Sequence, residues 1–330
     1  MNLPGTILFL LASAFVFVHI GRFFKLPDVV SLIACGLFAN VAVLRNFFVE
    51  PNTQAVFNLG DFAVILLMFF TGLESSWSFL RKEEGVCLFI GLFAASTTFI
   101  LGFGVALLLG FPLLAALLAG TALSITDEGT TAKYLMDIKK LKTRVGSAMV
   151  GSGIVDDFLG LGLFVAITYS LKESYLRDDL FIMIALAAFF AGLLVQKMIG
   201  HRWFGLFEKV IMHGIIPFFF VSIAFHFKFS SLVVNLVALF SLLFAALAGK
   251  IVGTLLTKKH NSFTLDRLYL IGWGMNSRGA LGMVIALIAF RNNLIPVDLY
   301  STLVLITVLT TLMFPFAASR IIASKPNILN

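Results

Sequence analysis

The chain has 330 residues, 60% of them hydrophobic and only 12% charged, with a formal net charge of +7. So apolar a composition excludes an ordinary soluble domain, and repeated apolar runs of about 20 residues make it a polytopic membrane protein. The positive balance does not call for nucleic acid or anionic lipid, because its distribution among the loops accounts for it.

In chain order, eleven hydrophobic segments are expected, at roughly 5–20, 28–44, 55–74, 86–109, 112–135, 145–171, 179–199, 205–227, 231–256, 264–290 and 297–322. The first begins near Gly5 without a basic leader and reads as a transmembrane segment, not a cleavable signal. Linkers are short, and no fused soluble domain is expected. Lys and Arg set the orientation. With the N-terminus outside, sixteen of them fall in cytoplasmic loops: Arg22, Lys25, Arg81, Lys82, Lys139, Lys140, Lys142, Arg144, Lys197, Arg202, Lys209, Lys258, Lys259, Arg267, Arg320 and Lys325. Five (Arg45, Lys172, Arg177, Lys228 and Arg291) fall outside, which favours an outer N-terminus and a cytoplasmic C-terminus. Of the three basic residues inside apolar segments, Lys133 can snorkel to an end, whereas Lys250 and Arg278 lie deeper and need partners.

Two segments read as broken. One contains Thr121-Ala-Leu-Ser-Ile-Thr-Asp-Glu-Gly-Thr-Thr131, the other Gly272-Trp-Gly-Met-Asn-Ser-Arg-Gly-Ala-Leu-Gly282. Irregular backbone at membrane depth is tolerated only where it is buried in protein or lines a wet cavity. The two breaks occupy corresponding positions in the two halves and cross in opposite directions. That pattern predicts an all-α membrane protein with an inverted-topology repeat, whose discontinuous helices cross at the midplane.

Each break exposes a half-helix N-terminus with partial positive charge and a C-terminus with partial negative charge. Asp127 is placed to offset N-termini; Lys250 and Arg278 are placed to offset C-terminal ends. Ser124, Thr126, Asn276 and Ser277 supply uncharged donors and oxygens nearby. Glu128 adjoins the first break as a lesser candidate. Glu74 and Asp61 read as helix-end residues. In the run 145–171, Asp156 and Asp157 stand side by side. A charged carboxylate at that depth is costly, so adjacent ones are hard to explain as packing. They sit about 100° apart on a helix and cannot face one partner identically. One is expected to meet a structural counter-ion, with Lys250 the best candidate, and the other a transported cation or proton. A buried lysine–carboxylate pair titrates as a unit.

Cys35 and Cys87 give no disulfide framework, and the five histidines lack metal-ligand spacing. With no nucleophile–base pair, phosphate loop or metal cluster, an enzyme is not expected, nor is a cofactor.

These residues resemble the second monovalent cation:proton antiporter family, which exchanges Na⁺ or K⁺ for H⁺. The resemblance spans nearly the whole chain: Lys25-Leu-Pro27, Phe69-Phe-Thr-Gly-Leu-Glu74, Ala122-Leu-Ser-Ile-Thr-Asp127, Thr143-Arg-Val-Gly146 leading into Val155-Asp-Asp157, Ala188-Phe-Phe-Ala-Gly-Leu-Leu194, Pro217-Phe-Phe-Phe220, Ala248-Gly-Lys-Ile-Val-Gly253 and Asn276-Ser-Arg-Gly279. Their order and spacing carry it more than any single motif. It implies that Asp157 binds cation and proton in alternation, that Asp156 pairs with Lys250, and that Asp157 and Asp156 are the residues nearest a bound alkali cation. Members with this Asp-Asp and lysine set tend to be electrogenic Na⁺/H⁺ exchangers.

The resemblance further implies a mobile core working against a dimerising scaffold in a homodimer. The expected division is 1–50 scaffold, 51–174 first core half with the ion site, 175–203 a scaffold helix and 204–330 second core half. Two departures stand out. The family's Arg-Gly-Glu is here Arg278-Gly279-Ala280, and a linker and one scaffold helix between Lys172 and Asp179 are absent. The expected function is therefore secondary antiport of Na⁺ (or Li⁺ or K⁺) against H⁺, in a multi-pass protein of a bacterial inner membrane. The rival is a non-transporting sensor or assembly subunit that keeps the antiporter fold.

Overall fold

Helix dominates because apolar backbone in lipid must satisfy its own hydrogen bonds. The structure is a computed structural model that describes residues 2–24, 26–41, 44–75, 84–170, 179–196, 211, 214–228, 235–325 and 327–329. Within these residues every element is helical and none is a strand. Six helices are long and apolar enough to cross a membrane, and four shorter ones are also apolar. The basic loop residues Lys25, Arg81, Lys82, Lys172, Arg177, Lys197, Arg202 and Lys209, and part of the segment expected at 205–227, lie outside the described residues.

The chain divides into two units, Met1–Ser75 with Asp178–Phe227, and Ser76–Arg177 with Lys228–Asn330. The first holds α1 (Leu3–Phe23), α2 (Asp28–Ala39), α3 (Thr53–Glu74), α8 (Asp179–Val195) and α9 (Ile216–His226). Proline sets two starts: Pro4 opens α1, and Pro27 precedes α2, where a missing N–H costs nothing. Helix α3 packs on α8 and α9, and α9 on α2. Leu10, Val56, Phe218 and Val221 fill one core of this unit. Asn40 donates its side-chain amide to the carbonyl of Ala224 at 2.7 Å.

Helix α3 and the stretch before Phe227 cluster with the first unit. The reason is packing: α3 has its principal neighbours in α8 and α9.

The second unit holds α4 (Glu84–Leu108), α5 (Leu113–Ser124), α6 (Glu128–Asp137), α7 (Arg144–Ser170), α10 (Leu236–Leu256), α11 (Leu265–Gly274), α12 (Ala280–Arg291) and α13 (Val297–Ser324). Both expected breaks are present: α5 stops and α6 starts across Ile125–Asp127, and α11 stops and α12 starts across Met275–Gly279. Helices α4 and α10 pack closely. Gly249 and Gly253 lie one turn apart on α10, and a Cβ on either would come 2.5 Å from Thr98 Cα or 2.6 Å from Ala94 Cα. This is small-residue packing, in which backbones approach because side chains are missing.

At one end of this unit, Val145, Leu135, Phe263, Ile328 and Leu329 share a core. Arg144 stacks over the Phe263 ring at 4.8 Å, Arg267 Nε donates to the carbonyl of Ile328 at 3.1 Å, and Lys325 pairs with Asp266 at 2.6 Å. The loops carrying Lys139 to Arg144 and Lys258–Lys259 and the segment after α13 therefore meet at the same end, as one-sided positive charge requires.

Candidate functional site

The site is built where the two breaks cross, wholly within the second unit. The extended strand-like pieces hydrogen-bond to each other. The backbone N–H of Asp127 donates to Ser277 O at 2.8 Å, Thr126 Oγ1 lies 3.1 Å from Met275 O, and Thr131 Oγ1 donates to Gly274 O at 2.8 Å. Each break thus satisfies part of the backbone that the other leaves open, which is what buried irregular backbone demands.

The negative ends come next. The last carbonyls of α5 receive one cation each: Arg278 Nε donates to Leu123 O at 3.1 Å, and Lys250 Nζ donates to Ser124 O at 2.5 Å. Arg278 also donates to Asn276 O at 3.2 Å and to Ala246 O at 2.8 Å, so its planar fork spans α5, α10 and the second break. Thr311 on α13 holds the Arg278 backbone from both sides, accepting from its N–H and donating to its carbonyl. Asn276 donates to Gly272 O at 3.0 Å.

The positive ends meet Asp127. It is the N-cap of α6, accepting from Thr130 N at 3.3 Å and from Thr130 Oγ1 at 2.5 Å. Gly279, the N-cap of α12, lies against the same carboxylate: a Cβ there would fall 2.5 Å from Asp127 Cγ. One carboxylate therefore stands at two half-helix N-termini, where partial positive charges favour it.

The two aspartates separate. Asp156 is fully buried, and both its oxygens are engaged. Oδ1 accepts from Thr126 N at 3.1 Å; Oδ2 accepts from Thr126 Oγ1 at 2.6 Å and from Lys250 Nζ at 2.5 Å. Asp157 is 1% exposed, and its Oδ1 has no hydrogen-bond partner among the described residues. Ser277 Oγ is also buried and unpartnered there. No three His, Cys, Asp or Glu side chains among the described residues converge to hold a metal ion.

Ser124, Thr126, Asp127, Asp156, Asp157, Lys250, Asn276, Ser277 and Arg278 gather in this one region. Lys133, by contrast, is exposed. Sequence reasoning missed Thr131 and Thr311, whose hydroxyls tie the breaks down, and the glycine face of α7. On that face Gly153 and Gly160 are seven residues apart, and a Cβ would collide with Glu128 at the first and Ile125 at the second. The spacing was visible in the chain, but nothing in it says which element the bare face receives.

Comparisons with known proteins agree with this architecture. The sequence profile described as "Sodium/hydrogen exchanger, transmembrane" matches residues 7–215 and 182–323. A Na⁺/H⁺ antiporter of Enterococcus hirae is 26% identical, covering 96% of this chain and 97% of that protein. The Na⁺/H⁺-K⁺ antiporter GerN of Bacillus cereus is 24% identical over 88% of each. Among solved structures, the sodium proton antiporter MjNhaP1 of Methanocaldococcus jannaschii shares the fold with a TM-score of 0.67 at 16% identity, covering 99% of this chain and 97% of that one. With the profile spanning most of its length, the chain belongs to the sodium/hydrogen exchanger family of membrane-embedded, multi-pass monovalent cation:proton antiporters, which are transporters and not enzymes.

Proposed function

We propose that the chain exchanges Na⁺ (or Li⁺ or K⁺) for protons by alternating access, with cation and proton competing for Asp157. The observation that carries this reading is the inequality of the two aspartates. Asp156 spends both oxygens on Thr126 and Lys250, whereas Asp157 Oδ1 is buried without a donor. A buried ionised oxygen without a partner is costly, so it takes up either a proton or a cation. Because one site serves both, neither can ride with the other, and reorientation in either state gives exchange. Asp156 and Lys250 act as the fixed frame, Asp127 and Arg278 as compensation for the helix ends. Hard oxygen ligands suit an alkali cation. The working unit is a homodimer in a bacterial inner membrane with the C-terminus inside, the second unit acting as the core that moves and the first as the scaffold.

The test is purified protein in proteoliposomes with an internal pH dye, with Na⁺, Li⁺ and K⁺ added separately. Wild type is expected to move protons against at least one of them, and Asp157→Asn against none. Unchanged exchange in Asp157→Asn overturns the assignment. Cation binding with no proton movement in the wild type would fit the sensor reading instead.

A further inference from the structure

Glu128 is the first residue of α6 and stands directly after the capping Asp127. An acidic side chain in a first helical turn is ordinarily explained by the helix dipole, and such residues point to solvent. Glu128 does not: only 6% of it is exposed. Its side chain lies in the notch at Gly153 of α7, where an added Cβ would come 2.8 Å from Oε2 and 3.3 Å from the Glu128 Cβ. Gly153 precedes Asp157 by four residues, which is one helical turn, so the notch and Asp157 share a face of α7. The Glu128 carboxylate therefore lies one helical turn along α7 from Asp157, whose Oδ1 has no donor among the described residues.

We propose that the carboxylate of Glu128 is a second anionic ligand of the transported alkali cation, facing Asp157 from the Gly153 notch, and that it sets the preference for the smaller ion. This rests on Asp157 being the carrier carboxylate. The preference follows from Coulomb's law: attraction rises as the ion–oxygen distance shortens, so each added anionic ligand favours a smaller ion over a larger one. Ligand charge count likewise tunes affinity in other hard-cation sites. Gly153 is then a positioning residue, because it leaves the room that lets the carboxylate approach Asp157.

Exchange in proteoliposomes is measured as a function of Na⁺ and of K⁺ for wild type, Glu128→Gln, Gly153→Ala and Asp157→Asn. Glutamine keeps the shape and an oxygen but removes the charge. Glu128→Gln is expected to raise half-saturating Na⁺ about tenfold, with a smaller rise for K⁺, so that the Na⁺/K⁺ preference falls. Gly153→Ala, which displaces the Glu128 carboxylate, is expected to shift both in the same direction. Unchanged half-saturation and preference in Glu128→Gln overturn the proposal. If Glu128→Gln does not transport, Na⁺-dependent thermal stabilisation of the purified protein decides. Stabilisation at wild-type Na⁺ concentrations overturns the proposal, and weakened stabilisation with an unchanged ion-free melting temperature supports it. If Glu128→Gln does not fold, Gly153→Ala decides by the same criterion, and wild-type half-saturation in it overturns the proposal. Active Asp157→Asn removes the carrier assignment whatever Glu128 does. Inactive Asp157→Asn with wild-type behaviour in Glu128→Gln and Gly153→Ala removes only the present inference.

Discussion

At the residue scale, the adjacent carboxylates differ in their surroundings: Asp156 has both oxygens hydrogen-bonded, whereas Asp157 Oδ1 has no hydrogen-bond partner among the described residues. Asp156 lies 2.5 Å from Lys250 Nζ, with both side chains fully shielded. Removing one member of such a pair leaves an uncompensated buried charge, which typically costs about 3–5 kcal/mol, whereas replacing both with apolar groups can be near neutral. Lys250→Ala should therefore lower the melting temperature in detergent strongly, and the double variant Lys250→Met with Asp156→Leu should recover most of the loss. A double variant as unstable as the single one would mean that Lys250 stabilises through Ser124 O and not through the aspartate. Asp127 offers a second comparison. Asn can still accept from Thr130 N, so Asp127→Asn should be milder than Asp127→Ala, which loses a cap worth about 1 kcal/mol. Melting temperatures of the two variants check the order. The sequence could place both aspartates on α7 and name Lys250 as a partner. Residue patterns alone left open which aspartate it meets, because that depends on the rotation of α7 against α10.

At the element scale, two interruptions and one close pair matter. The breaks at Ile125–Asp127 and Met275–Gly279 were legible because Gly and small polar residues do not belong in a lipid-facing helix interior. What they do to each other was not legible. The bonds from Asp127 N to Ser277 O and from Thr131 to Gly274 O join residues about 150 positions apart, and no local pattern predicts such a pairing. The α4–α10 contact brings Lys250 to Asp156. It depends on Gly249 and Gly253, where a Cβ would press on the Thr98 and Ala94 backbone. Overpacking a tight contact costs roughly 1–3 kcal/mol or more. Gly253→Leu should therefore destabilise the protein and reduce exchange, while Gly253→Ala should do so less. Thermal melting together with the proteoliposome assay checks both. Equal activity in Gly253→Leu and wild type would show that α10 reaches the site without this contact.

At the scale of the whole molecule, loop charge sets the side. Lys139, Lys140, Lys142, Arg144, Lys258, Lys259, Arg267 and Lys325 come to one end of the second unit, where the segment after α13 docks on Arg267 and Asp266. If that end faces the cytoplasm, a single cysteine placed at Lys258 or Ser324, in a chain whose Cys35 and Cys87 have been replaced, should react with an impermeant maleimide only after the membrane is opened. Labelling in intact cells would reverse the orientation. Packing groups α3 with α8 and α9 in the first unit.

The sequence by itself determined the membrane class, the all-helical character, the two breaks and the burial of Asp156, Asp157, Lys250 and Arg278. These follow from local composition and from the cost of polar groups in lipid, which acts on each segment separately. Only the tertiary structure decided how those residues are spent. It made Asp156 a held counter-ion and Asp157 the carboxylate with an oxygen to spare, set Asp127 between two helix starts, and turned Glu128 inward onto a glycine face. Those outcomes depend on which face of α7 meets α5, α6 and α10, and that is settled by close packing between distant segments.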